Sequence, residues 1–139
     1  IFAGSILVSF KKEKIRLTDL RDLLIKQILS NIKDTHLNGH PSQRLSNNIN
    51  ISFSGVEGES LMLELDHYGI AVSTGSACSS KTLEPSHVLL AIGLSPFRAH
   101  GSVRISLGRH TTKSDIDYLI KTLKKSTEKL RKISPVYKI

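Results

Sequence analysis

At 139 residues, with 39% hydrophobic and 23% charged side chains, the chain has the composition of one globular domain, long enough to bury roughly two thirds of the surface its unfolded form exposes. A single cysteine, Cys78, excludes an intramolecular disulfide and any multi-thiolate zinc or iron–sulfur site within one copy, and it fits a reducing compartment. The formal charge of +8 raises nucleic acid as a partner, but the basic runs 11–14 and 124–132 fall on segments that read as solvated helix faces, and with no tryptophan or glycine–aromatic pattern nucleic acid is not expected.

No apolar run is long enough to span a membrane, and no charged-then-apolar start marks a signal peptide. The chain opens on Ile1 and reads at once like the inside of an amphipathic helix, as expected for a piece of a longer polypeptide. Leu17, Leu20, Leu24 and Ile28 recur at helical spacing, with Leu23 widening the stripe; this predicts one long helix, or two joined, up to about residue 34. A short strand is expected around Thr35 to Asn38, then a polar loop from Ser42 to Asn48. Ile49 to Ser54 alternates apolar and polar residues, the period of a half-buried strand.

Residues 59–66 predict a short helix closed by Gly69, and Ile70-Ala71-Val72 a brief strand that delivers the chain to the cysteine. Pro85 suits the first turn of a helix running through Val88, Leu89 and Ile92 to Gly93, and Leu94 to Gly101 reads as irregular. Val103, Ile105 and Leu107 alternate with Arg104 and Ser106, so Arg104 is expected to face away from the apolar side. Thr112 caps a last helix whose buried stripe is Ile116, Leu119, Ile120, Leu123, Leu130 and Ile133, before Pro135. The expected class is α+β: three or four short, mostly antiparallel strands covered by helices.

The surroundings of Cys78 are small and polar. Ser73, Thr74, Ser76, Ser79 and Ser80 would each need a hydrogen-bond partner if the segment were buried, which argues for an exposed loop at about residues 73–84. An exposed thiol becomes a nucleophile where cations or helix amino ends favour its thiolate, and Lys81 is near in sequence. Among the histidines, His87, His100 and His110 lie near this region, and His36 with His40 lacks further ligands for a metal, so no metal site is expected.

Five blocks, in order, resemble the C-terminal part of cysteine desulfurases of the iron–sulfur-cluster branch: Asn50-Ile51-Ser52-Phe53, Val56 to Leu61, Ser73-Thr74-Gly75-Ser76-Ala77-Cys78, Leu83 to Leu89, and Val103-Arg104-Ile105-Ser106-Leu107-Gly108-Arg109. The resemblance implies the small domain of a fold-type I transferase dependent on pyridoxal 5'-phosphate. It implies conversion of L-cysteine to L-alanine, with the thiolate of Cys78 attacking the sulfur of the cofactor-bound substrate and carrying it away as a persulfide. Arg104 matches the family's arginine for the substrate carboxylate, His100 is a weaker candidate near the cofactor phosphate, and Arg109 is read as structural.

The family's cofactor lysine follows a histidine, and no His-Lys pair occurs in this chain. The lysine, the aspartate for the pyridine nitrogen and the stacking histidine belong to a preceding large domain. Residues 1–34 are then a helical lead-in from that domain and residues 35–139 the α+β core. By itself the chain is expected to be inactive and to hold no Schiff base. The resemblance further implies a homodimer, an iron–sulfur scaffold or other sulfur acceptor as partner, and a cytoplasmic or mitochondrial-matrix setting. The alternative is a sulfur-carrying or scaffold-docking module with no catalysis of its own.

Overall fold

The structure, a computed structural model, describes residues 2–74, 84–135 and 137, with side chains from residue 9 onward. Cys78 and most of its expected loop lie outside the described residues. The first element is one unbroken helix, α1 (Phe2–Asn31). Its second half carries the predicted stripe into the core, where Leu24 and Ile28 are fully buried, while Leu17, Leu20 and Leu23 pack at the margin. Arg16 ties the first half to the turn at residues 108–111 by donating to the carbonyls of Thr111 (2.7 Å) and Arg109 (2.8 Å).

After a turn in which Asp34 adopts φ 53°, β1 (Thr35–Leu37) and β2 (Asn48–Phe53) form an antiparallel pair. Helix α2 (Gly58–Asp66) follows, N-capped by Glu57, whose carboxylate accepts the Ser60 N–H. Gly69 ends this helix region at φ 73°, a conformation that costs glycine nothing.

Three expectations change from here. Residues 70–72 are not a strand, because the Ile70 N–H bonds back to the Leu65 carbonyl (3.0 Å) to close α2; pairing starts at β3 (Ser73–Thr74). Pro85 lies outside α3 (His87–Ala91), since Ser86 is the N-cap with extended ψ 119° and its carbonyl takes the first helical bond from Leu90. The stretch read as irregular contains α4 (Pro96–His100), with Ser95 as N-cap accepting the Arg98 N–H and Pro96 inside the first turn.

β4 (Ser102–Ser106) then inserts between β2 and β3, giving the antiparallel order β1-β2-β4-β3. The last helix, α5 (Lys113–Ile133), opens with a reciprocal cap between Thr112 and Asp115. Its buried face includes Ile116, Leu119 and Leu123 as predicted, but Ile133 is 75% exposed. Arg131 takes the buried place one half-turn earlier, donating to the carbonyls of Ser54 (2.9 Å) and Asp34 (3.2 Å) while stacking on the Tyr137 ring.

The core is a two-layer arrangement: the apolar face of the sheet, with Ile49, Ile51, Phe53, Val103 and Ile105, under α1, α2 and α5. No helix among the described residues is long and apolar enough to cross a membrane.

Candidate functional site

Period-two alternation places one set of side chains on the side of the sheet away from that core. On β4, Val103 and Ile105 are buried whereas Arg104 and Ser106 are exposed. The register sets Arg104 opposite Asn50 of β2 on one side and Ser73 of β3 on the other. Its guanidinium donates to Ser73 Oγ at 3.4 Å, a long bond that leaves most of its five donors facing outward. Among the described residues no carboxylate pairs with Arg104.

A rigid strand with an outward fork of N–H groups is a receptor for a carboxylate, which such a fork can bind bidentately. β3, the neighbour of that arginine, leads directly into the segment holding Cys78. In sequence, Cys78 stands four residues after Thr74, the last residue of β3.

His100 goes elsewhere. It ends α4 and lines a cavity of about 540 Å³ whose other walls are β1, the turn after β2 and the residues following α5; His36 lines it too, and Arg104 does not. His40 is engaged in its own loop, where Nδ1 accepts from the N–H groups of Ser42 (3.2 Å) and Gln43 (2.9 Å). No group of three or more metal-ligating side chains occurs among the described residues.

Sequence reasoning missed Asn38. It is 4% exposed, and its Nδ2 donates to Asn50 Oδ1 and Ser52 Oγ, both at 2.7 Å, linking the loop after β1 to the strand beside Arg104. The available signal was the run of polar residues at Asn38, Asn50 and Ser52 in and beside strands, where buried polar groups need partners.

The chain matches the family described as aminotransferase class-V over residues 8–119. It is 54% identical over 129 residues to a cysteine desulfurase IscS of Dictyoglomus turgidum, covering 93% of this chain and 33% of that protein. It is 53% identical over 123 residues to cysteine desulfurase IscS 1 of Archaeoglobus fulgidus, covering 88% of this chain and 32% of that one. Its fold is similar to a NifS-like protein from Rickettsia africae, with a TM-score of 0.71 and 25% identity over 83% of this chain and 29% of that one. The chain thus spans about a third of the length of the curated relatives it matches.

Proposed function

Because the chain belongs to the aminotransferase class-V family, we propose that it is the small-domain portion of a pyridoxal-phosphate-dependent cysteine desulfurase, converting L-cysteine to L-alanine and leaving the sulfur on Cys78 for iron–sulfur cluster assembly. The observation that carries this reading is the outward, carboxylate-free fork of Arg104 beside the strand that leads to Cys78. It occurs in a chain 54% identical to a cysteine desulfurase.

Arg104 holds the substrate carboxylate and so fixes where its sulfur lies, and the Cys78 thiolate receives that sulfur. Residues 1–34 lead in from a preceding large domain, with the second half of α1 packed into the core that residues 35–139 complete. A homodimer, a scaffold protein as acceptor and a cytoplasmic setting complete the reading.

Among the described residues no lysine fits the cofactor. A Schiff-base lysine needs a desolvated amine at the site, whereas every described lysine is exposed and none lines the cavity. We place that lysine in the part of the relatives' length that this chain does not span. Contact of His100 with the cofactor phosphate would then require the rest of the protein to enter the cavity.

The test is made in the full-length parent, by measuring alanine release and enzyme-bound persulfide. Cys78→Ser should abolish persulfide transfer without altering the fold; full sulfur transfer in that variant overturns the assignment. If the isolated chain gains sulfur from a donor while the full-length parent releases no alanine from cysteine, the sulfur-carrying module is the correct reading.

A further inference from the structure

The proposed reaction leaves one charged group unused. Arg98, on α4 in the wall of the 540 Å³ cavity, is half-buried. Its Nε is buried with no hydrogen-bond partner, and Nη2 makes one long bond, 3.4 Å, to Asn38 Oδ1. Among the described residues no carboxylate lies within ion-pairing distance of it.

Glu57 shares the wall, but its Oε2 is held by the N–H (2.8 Å) and hydroxyl (2.9 Å) of Ser60 at the start of α2. Asn38 is fixed as well: both its Nδ2 bonds go to β2, which turns its oxygen toward Arg98 and offers the guanidinium nothing more. A cation with a buried unsatisfied donor is relieved by an anion that draws the fork a short way into the cavity.

The rest of the wall includes Phe53, Val56, Phe97 and Pro135, and Phe97 is 62% exposed. Small-molecule sites are commonly cavities of about 300–1,000 Å³ lined mainly by apolar side chains with a few fixed polar groups. Among the described residues Arg98 is the one arginine in the wall and no lysine joins it, with His36, His100 and the Ser60-bound Glu57 as the other ionisable groups; a single fork matches a single carboxylate, and the apolar wall calls for an apolar body.

We propose that this cavity binds an organic monocarboxylate with an apolar body, the carboxylate on Arg98 and the body against Phe97 and Val56. The site is separate from Arg104 and does not depend on the desulfurase reading.

The 139-residue chain is titrated with 3-phenylpropionate while the Arg98 Nε–H and the Phe97 and Gly101 amides are followed by NMR. A saturable shift is expected, with binding at least about tenfold weaker for the neutral amide of the same acid and for Arg98→Met. Arg98→Lys, which keeps the charge but lacks the fork, should fall between Arg98→Met and the native chain, and it keeps the test valid if Arg98→Met fails to fold. Inorganic phosphate should not displace the probe.

Equal affinity for acid and amide, native affinity in both variants, displacement by phosphate, or no saturable shift up to about 10 mM probe overturns the proposal. Repeating the titration in the full-length parent identifies the source of the carboxylate. Retained binding points to a free small molecule. Exclusion of the probe, with the Arg98 Nε–H already shifted before any probe is added, points to a carboxylate of the longer protein.

Discussion

The two faces of the sheet are made from the same strands, residue by residue, yet they do opposite work. On one side Ile51 and Val103 are fully buried and Phe53 and Ile105 nearly so, sealed under three helices. On the other side Arg104 and Ser106 are exposed, while Asn50 and Ser52 bond to Asn38 and Ser102 to the Ala99 carbonyl, so polar contacts replace packing. Strand periodicity sends apolar and polar side chains to opposite faces, so a one-residue slip would exchange the two, which ties the direction of Arg104 to the burial of Val103 and Ile105.

Substitutions on each face should break that separation differently. Ile51→Ala removes a fully buried side chain and is expected to cost about 2–5 kcal/mol, whereas Ser106→Ala on the opposite face should stay within about 0.5 kcal/mol; urea denaturation measures both. Arg104→Ala should do the reverse of Ile51→Ala, lowering kcat/KM for L-cysteine in the full-length parent by about a hundredfold with no change in the unfolding midpoint. A matched loss of stability would mean that the outer face is structural after all.

At the end of the sheet the separation meets a limit of space. A Cβ on Gly101 would lie 2.8 Å from the Phe53 carbonyl oxygen and 2.9 Å from that of Val56, so Gly101→Ala should cost about 1–3 kcal/mol and lower the thermal midpoint.

A further small effect lies away from both faces, at the cap of α5. Thr112→Ala should cost about 1 kcal/mol. The Thr112 N–H and hydroxyl hold the Asp115 carboxyl below the usual carboxylate range. A lowered folded pKa gives stability that is present above the unfolded value and lost as pH falls through the folded one. Thr112→Ala should therefore flatten the decline in thermal midpoint on acidification.

The long-period features were legible in the residues themselves. The stripe Leu17 to Ile28 and the alternation Val103 to Leu107 each repeat often enough to set a face, and the direction of Arg104 followed from the second. Short elements were not, because their ends are fixed by bonds that periodicity does not encode. Ile70 closes α2 instead of starting a strand, and Ser95 caps a helix of five residues inside what reads as a loop. The Arg98–Asn38 pair was invisible for a different reason: its two members are brought together only by the fold.

The strand order has one more consequence, for a chain leaving the ribosome. β4 is the last strand made and the one at the centre of β2-β4-β3, so β3 has no ladder partner until it arrives. Cys78 is synthesised before Arg104 and before the strand that completes the sheet. A nascent chain stopped short of Ser102 displays the backbone N–H and C=O groups along one edge of β2 unpaired, the species most exposed to proteases and holding chaperones. Arg104 and the finished sheet therefore emerge from synthesis in the same few residues.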